Sequence, residues 1–123
     1  METNDITRAI IGAAIEVHRE LGPGLLESAY EACLAFELSS RGFAVERQKK
    51  IPAIYKGRPI GRGYRLDLLV NESVIVELKS AQSLEDIHTA VMLTYLKLTG
   101  FRTGLILNFN VPVLKNRIRP VVL

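Results

Sequence analysis

Within the segment "RLDLLVNESVIVELKS", residues 65–80, the charged side chains Asp67, Glu77 and Lys79 interrupt runs of Leu, Val and Ile. An unpaired charge buried in a small domain costs several kcal/mol or more. Glu77 and Lys79 are two residues apart, so on a strand they point to the same face. The place of Asp67 depends on the turn. If Asn71, Glu72 and Ser73 form the loop, Asp67 falls directly opposite Glu77, with Cβ atoms about 4.5–5.5 Å apart. A two-residue turn at Asn71-Glu72 pairs Asp67 with Val76 instead. The longer loop is the expectation, because it gathers the charges. Two carboxylates at that distance repel, so one takes up a proton or a cation sits between them.

A hard divalent cation suits such a site: Mg²⁺, or Mn²⁺, held by Asp67, Glu77, the backbone carbonyl of Leu78 and waters. Lys79 could then orient or help deprotonate the attacking water, or stabilise charge developing on a phosphate. That is the equipment of metal-assisted phosphodiester hydrolysis. The plainer alternative is a carboxylate–lysine ion pair at a sheet edge. Three charges within apolar strands, on one calculated face, argue against it.

The elements that must position these residues read as follows. Ile6, Ile10, Ala13, Ala14, Val17 and Leu21 recur at helical spacing, with Thr3 or Asn4 as cap and Gly22-Pro23 as stop. A second helix is expected from about Leu25 to Arg41, ended by Gly42. Phe43 to Tyr55 is a candidate strand weakened by Pro52, and "YKGRPIGRG" is turn material, a hairpin. Tyr64–Val70 and Val74–Lys79 are two further strands. Ser83 is expected to cap a helix, with Asp86 three residues on, which continues through "IHTAVMLTYLKLT" to Gly100. Arg102–Asn108 is a strand, and Arg117–Leu123 a last one, at an edge because of Pro120. The order α-α-β-β-β-α-β-(β) describes one α/β layered domain over residues 1–123 with a mixed sheet.

The chain of 123 residues is 48% hydrophobic and 24% charged, the balance of a globular domain with a real core. No apolar run is long enough to span a membrane. The opening "METNDITRAIIGAAIEVHREL" lacks the pattern of a secretory signal. The lone Cys33 excludes an internal disulfide and a multi-cysteine zinc site, so a cytoplasmic protein is expected. The net charge is only +3, but its distribution is uneven. Arg41, Arg47, Lys49, Lys50, Lys56, Arg58, Arg62 and Arg65 stand in a stretch whose only acid is Glu46, and Lys115, Arg117 and Arg119 form a second group. The residues Arg47 to Arg65 are candidates for gripping phosphates; the alternative is a solvated hairpin face.

His18 and His88 form no metal-like pair, Cys33 and Tyr95 read as core, and "GRPIGRG" is not followed by a helix, so it is no P-loop. Glu27 falls in the first turn of its helix, where the dipole alone favours a carboxylate. Tyr30 either hydrogen-bonds to the neighbours of Glu27 or lines the cleft, or it is a core tyrosine with its hydroxyl at the surface.

The pattern Asp67…Glu77-x-Lys79 across two antiparallel strands, followed by a helix, resembles the PD-(D/E)XK nuclease superfamily. "GPGLLESAY" carries Gly24-x-x-Glu27-x-x-Tyr30, which resembles the signature of that superfamily's GxxExxY family. "AIIGAAIEVHRELGPGLLESAYE", "DLLVNESVIVELKS", "LTYLKLTGFRTGLILNFN" and the short basic last strand look similar too, so the likeness covers almost the whole chain. The resemblance implies a restriction-endonuclease-like core with a mixed sheet of four or slightly more strands between helices. It implies Asp67 and Glu77 as metal ligands, Lys79 as catalytic lysine and Glu27 as a helix carboxylate facing the site, as in nucleases resembling the Holliday-junction resolvases. One departure stands out: family members often carry Gln in the helix after the ExK strand, where this chain has Val91.

Two functions follow. The first is a Mg²⁺-dependent nuclease acting on DNA, less readily on RNA. The second is a nuclease-fold module without useful catalysis that binds nucleic acid or a protein partner, as a homodimer for example. Asp67, Glu77 and Lys79 favour the first; Val91 and the absence of a separate specificity domain favour the second.

Overall fold

The computed structural model describes residues 1–114 and 117–123. The chain opens with two helices, α1 (Thr3–Leu21) and α2 (Glu27–Ser40). Strand β1 (Val45–Ile51) follows, then a short arm of β2 (Ile54–Tyr55) and β3 (Arg58–Pro59), then β4 (Tyr64–Val70) and β5 (Val74–Lys79). Helix α3 (Asp86–Thr99) crosses over to β6 (Thr103–Asn108), and β7 (Ile118–Val122) closes the order. The main sheet has five strands in the order β1-β4-β5-β6-β7, and β2 and β3 form a separate two-stranded sheet. Only β5 and β6 run parallel; the other neighbours in the main sheet are antiparallel. This is the α/β architecture with a mixed sheet between helices that the sequence implied.

Helices cover both faces of the sheet, and that explains its unbroken apolar strands. On one face Ile6, Ile10, Ala14, Tyr30 and Leu34 of α1 and α2 pack on Leu68, Val70, Val74, Val76 and Leu105. On the other, Met92 and Leu96 of α3 pack on Leu66, Leu69, Ile75 and Ile106. Val74, Val76 and Leu78 of β5 serve the first face, and Ile75 the second. α3 lies so close on β6 that a Cβ at Gly104 would strike the Met92 side chain.

Several expected boundaries move. α2 begins at Glu27 rather than Leu25. The strand expected from Phe43 to Tyr55 is divided into β1 and β2 at Pro52 and Ala53, since proline donates no ladder hydrogen bond. α3 starts at Asp86 after Glu85, not at a Ser83 cap; the Glu85 N–H donates to His88 Nδ1 at 2.9 Å. Among the described residues no helix is long and apolar enough to cross a membrane.

Candidate active site

The β4–β5 register pairs Leu68 with Val76, Leu69 with Ile75 and Val70 with Val74. The turn is therefore centred on Glu72, as the longer loop requires, and Asp67 and Glu77 are the next facing residues. The backbone ladder stops just before them. Instead, Glu77 Oε2 accepts from the Asp67 N–H at 2.8 Å, and Asp67 Oδ2 accepts from the Leu78 N–H at 2.9 Å. Each carboxylate thus holds the backbone of the opposite strand. Side-chain alternation also slips here, because Leu66 packs on the α3 side and Leu68, two residues on, packs on the α1–α2 side.

Two further acceptors stand beside this pair, the Leu78 carbonyl and the second oxygen of Glu77. A strand residue directs its N–H and C=O to the same neighbour. The Lys79 carbonyl accepts from the Phe109 N–H beyond β6, at 2.9 Å, so Leu78 turns both its backbone groups toward β4. Glu77 Oε1 has no hydrogen-bond donor among the described residues. Lys79 is half-buried and forms no salt bridge among them. Its charge nevertheless acts on both carboxylates, opposing the upward shift of each.

The electrostatics follow from burial. Glu77 is 7% exposed, and this burial, followed by the nearby Asp67 charge, pushes its carboxyl up to about 8. Burial also raises Asp67; the Leu78 N–H opposes that, Glu31 adds to it, and Lys79 and Gln48 oppose it. A proton on Glu77 is one way to quiet this pair, and a cation is the other. No group of three or more His, Cys, Asp or Glu side chains suited to a metal occurs among the described residues. Two carboxylates, a backbone carbonyl and water nevertheless fit a hard cation, which takes oxygen donors of all these kinds.

The Gly24-x-x-Glu27-x-x-Tyr30 spacing has a structural explanation. Gly24 takes φ +96°, in the left-handed region that favours glycine. Tyr30 is fully buried rather than carrying its hydroxyl at the surface, and its ring stacks on Phe109 at 4.4 Å. The hydroxyl donates to the Gly22 carbonyl at 2.6 Å and accepts from the Leu25 N–H at 3.1 Å. Ser80 Oγ donates to the Leu25 carbonyl at 2.9 Å, and Glu27 Oε2 accepts from the Ser80 N–H at 3.1 Å. The motif thus docks the start of α2 onto the end of β5, one residue past Lys79. Tyr30→Phe should cost about 1–3 kcal/mol by removing these two part-buried hydrogen bonds, each worth about 0.5–1.5 kcal/mol. Urea denaturation measures this, and an unchanged midpoint would show that the loop does not depend on the hydroxyl.

Sequence reasoning missed Glu31, Gln48 and the electrostatic position of Tyr95. Glu31 is buried, its Oε2 accepting from Arg47 Nε at 3.1 Å. Gln48 Nε2 donates to Glu31 Oε1 and, at 3.4 Å, to Asp67 Oδ1. Gln48 takes φ +50° inside β1, at the one position where the β1–β4 register skips a pair, opposite Asp67. Glu31 was findable, since it lies one helical turn past Glu27 and on the same side; nothing in the sequence marks Gln48. Tyr95 packs at the margin of the α3-side core, and its hydroxyl is pushed up to about 12 by burial and then by the Glu77 and Asp67 charges. Val91 lies one turn before it and is exposed.

The basic residues divide. Arg47 pairs with Glu31 and Lys49 with Glu46, at 3.1 and 3.0 Å. Lys56 Nζ stands 5.4 Å from the Tyr55 ring centre. Lys50, Arg62 and Arg65, with Gly63, line an open groove of about 700 Å³, and Arg58 is exposed on β3. In the second group, Arg119 donates to the carbonyls of Leu84 and Glu85 and to Thr89 Oγ1, tying β7 to the start of α3. Lys115 lies outside the described residues.

A family model described as the PD-(D/E)XK nuclease superfamily matches residues 4–121. No curated protein and no solved structure matches the chain.

Proposed function

The chain belongs to the PD-(D/E)XK nuclease superfamily, and from that premise we propose that it is a Mg²⁺- or Mn²⁺-dependent nuclease hydrolysing phosphodiester bonds of DNA. The observation that carries this reading is the reciprocal hold of Asp67 and Glu77 on each other's strands, beside the Leu78 carbonyl and an unbridged Lys79. Asp67, Glu77 and the Leu78 carbonyl would hold the ion, with Glu27 as a further carboxylate at the β5 end. The ion would supply charge stabilisation at the scissile phosphate and a more acidic water. Lys79 adds a positive charge where negative charge develops in the transition state. Gln48 holds Asp67 from the other side and is itself held by Glu31.

The test is cleavage of supercoiled, linear, single-stranded and branched DNA, with RNA beside them, in Mg²⁺, in Mn²⁺ and in EDTA. Cleavage that EDTA stops supports the reading. A purified chain that cuts none of them favours the second one, a nuclease-fold module that binds nucleic acid or a protein partner, as a homodimer for example. Exposed Val91, standing where relatives often carry Gln, favours that outcome.

Nucleic-acid binding should be salt-dependent under either reading. Of Arg47, Lys49, Lys50, Lys56, Arg58, Arg62 and Arg65, two are already in ion pairs and Lys56 leans on Tyr55. Lys50, Arg58, Arg62 and Arg65 remain for phosphates. The slope of log K against log salt should be about −3 to −4 on duplex DNA. Binding measured across a salt series checks this, and a flat dependence removes the phosphate grip.

A further inference from the structure

The arm of β2 and β3 carries more than charge. Its register pairs Tyr55 with Arg58 and Ile54 with Pro59. The Ile60 N–H donates to the Ala53 carbonyl at 2.8 Å, which continues the pairing by one step. Paired strand residues share a face, and alternate residues return to it. Tyr55, Arg58 and Ile60 therefore stand on one face of the arm, an aromatic, a cation and an aliphatic in a row. Tyr55 is 63% exposed and Ile60 51%. Neither belongs to either core cluster.

The arm also has a fixed relation to the candidate active site. It leaves the sheet between Ile51 and Tyr64, the last facing pair of β1 and β4. Gly63 takes φ +75°, and a Cβ there would run into the Ile51 carbonyl. Only glycine allows this close crossing at the arm's base. The groove of Lys50, Arg62, Gly63 and Arg65 lies at that base. Lys50 faces Arg65, two residues along β4 from Asp67, or about 7 Å at strand rise. Along the chain the cationic groove stands between the carboxylates and the arm.

We infer that the Tyr55–Arg58–Ile60 face of the arm stacks on unpaired bases of a nucleic-acid strand whose backbone runs through the Lys50–Arg62–Arg65 groove. The inference rests on the nuclease reading and names its substrate class: nucleic acid with single-stranded or branched structure beside the scissile phosphate. Phosphates alone would call for cations alone. On a nucleic acid a tyrosine ring and an aliphatic side chain pack best on open base faces, and in intact duplex these are stacked on one another. Base–aromatic stacking tolerates any sequence, because every base offers a π-face.

The experiment is binding in EDTA, so that it is independent of cleavage. The probes are a single strand, a forked duplex and a blunt duplex of one sequence, each with 2-aminopurine at the positions tested. The wild type should bind the fork and the single strand about tenfold or more tightly than the duplex, the size of one stacking contact. Fluorescence of 2-aminopurine near the junction should change on binding. Tyr55→Ala should remove most of that preference and the fluorescence change, leaving the salt slope as it was. Ile60→Ser should do the same in part. Both residues are exposed, so folding should survive, and thermal melting checks it. Equal affinity for duplex and fork, or a preference untouched by Tyr55→Ala, overturns the inference. So does a Tyr55-dependent dimer seen by sedimentation in the absence of nucleic acid, which would give the arm a protein partner. A chain that shows the preference yet cuts nothing in Mg²⁺ or Mn²⁺ refutes the nuclease reading alone.

Discussion

Glu77→Ala should abolish metal-dependent cleavage, whereas Lys79→Ala should bind the metal almost as before and turn over about 10²–10⁴-fold more slowly. The two residues share a strand face but have different work. Glu77 brings one oxygen to the gap and uses the other to hold the Asp67 N–H at 2.8 Å. Removing it takes a ligand and loosens the second ligand's backbone together. Asp67 alone then supplies too few oxygens for a hard cation. Lys79 is positively charged, so it is no ligand; its loss appears in rate. Calorimetric titration with Mn²⁺ separates the two effects, with cleavage of the best substrate measured in parallel. Undiminished cleavage by Glu77→Ala would end the metal-site proposal. Equal loss of metal affinity in both variants would end the division of labour between them.

The second large effect is on stability, and its sign is opposite to that of a salt-bridged carboxylate. Glu77 has an ordinary value of 4.5 and is raised to about 8 in the fold. Between those values the folded state holds a proton that the unfolded chain releases. Stability therefore falls as pH rises from about 4.5 to about 8 and is level beyond either end. Asp67 is raised too and acts in the same direction. The whole effect is of order a few kcal/mol. Glu77→Gln, a neutral side chain of the same shape, removes the share that belongs to Glu77. The variant should match the wild type near pH 4 and exceed it increasingly as pH rises from about 4.5 to about 8, with a steady gap above that. Mg²⁺ added at pH 9 should stabilise the wild type and not the variant, since only the wild type offers the carboxylate. Urea midpoints at pH 4, 6, 8 and 9 give the comparison. A gap between the two proteins that stays constant with pH would mean that Glu77 is not held protonated by the fold.

The loop carrying Gly24 and the buried Tyr30 hydroxyl shows how a sequence signature can be legible while its reason is not. The spacing of Gly24, Glu27 and Tyr30 was visible at once. That Tyr30 holds the Gly22 and Leu25 backbone, and so sets Glu27 against Ser80, depends on Phe109 stacking beneath it from 79 residues further along. Basic residues show the opposite. Their density between Arg47 and Arg65 was plain, yet charge counts do not reveal that Arg47 is committed to Glu31 and Lys49 to Glu46.

By itself the sequence determined the elements and their order, because helical and strand periodicity are local and glycine and proline punctuate them. For the β4–β5 register it left two turns open and favoured the one centred on Glu72, which the pairing of Leu68 with Val76 in the structure then decided. Only the tertiary structure decided what happens at that pair. The ladder stops there, the carboxylates take over the backbone N–H groups, and Gln48 arrives from β1 to hold Asp67, itself held by Glu31 of α2. Those contacts join residues far apart in the chain, and no local pattern encodes them. The raised carboxyl of Glu77 has the same origin: it follows from burial between strands and from a neighbour's charge, which exist only once the sheet has formed.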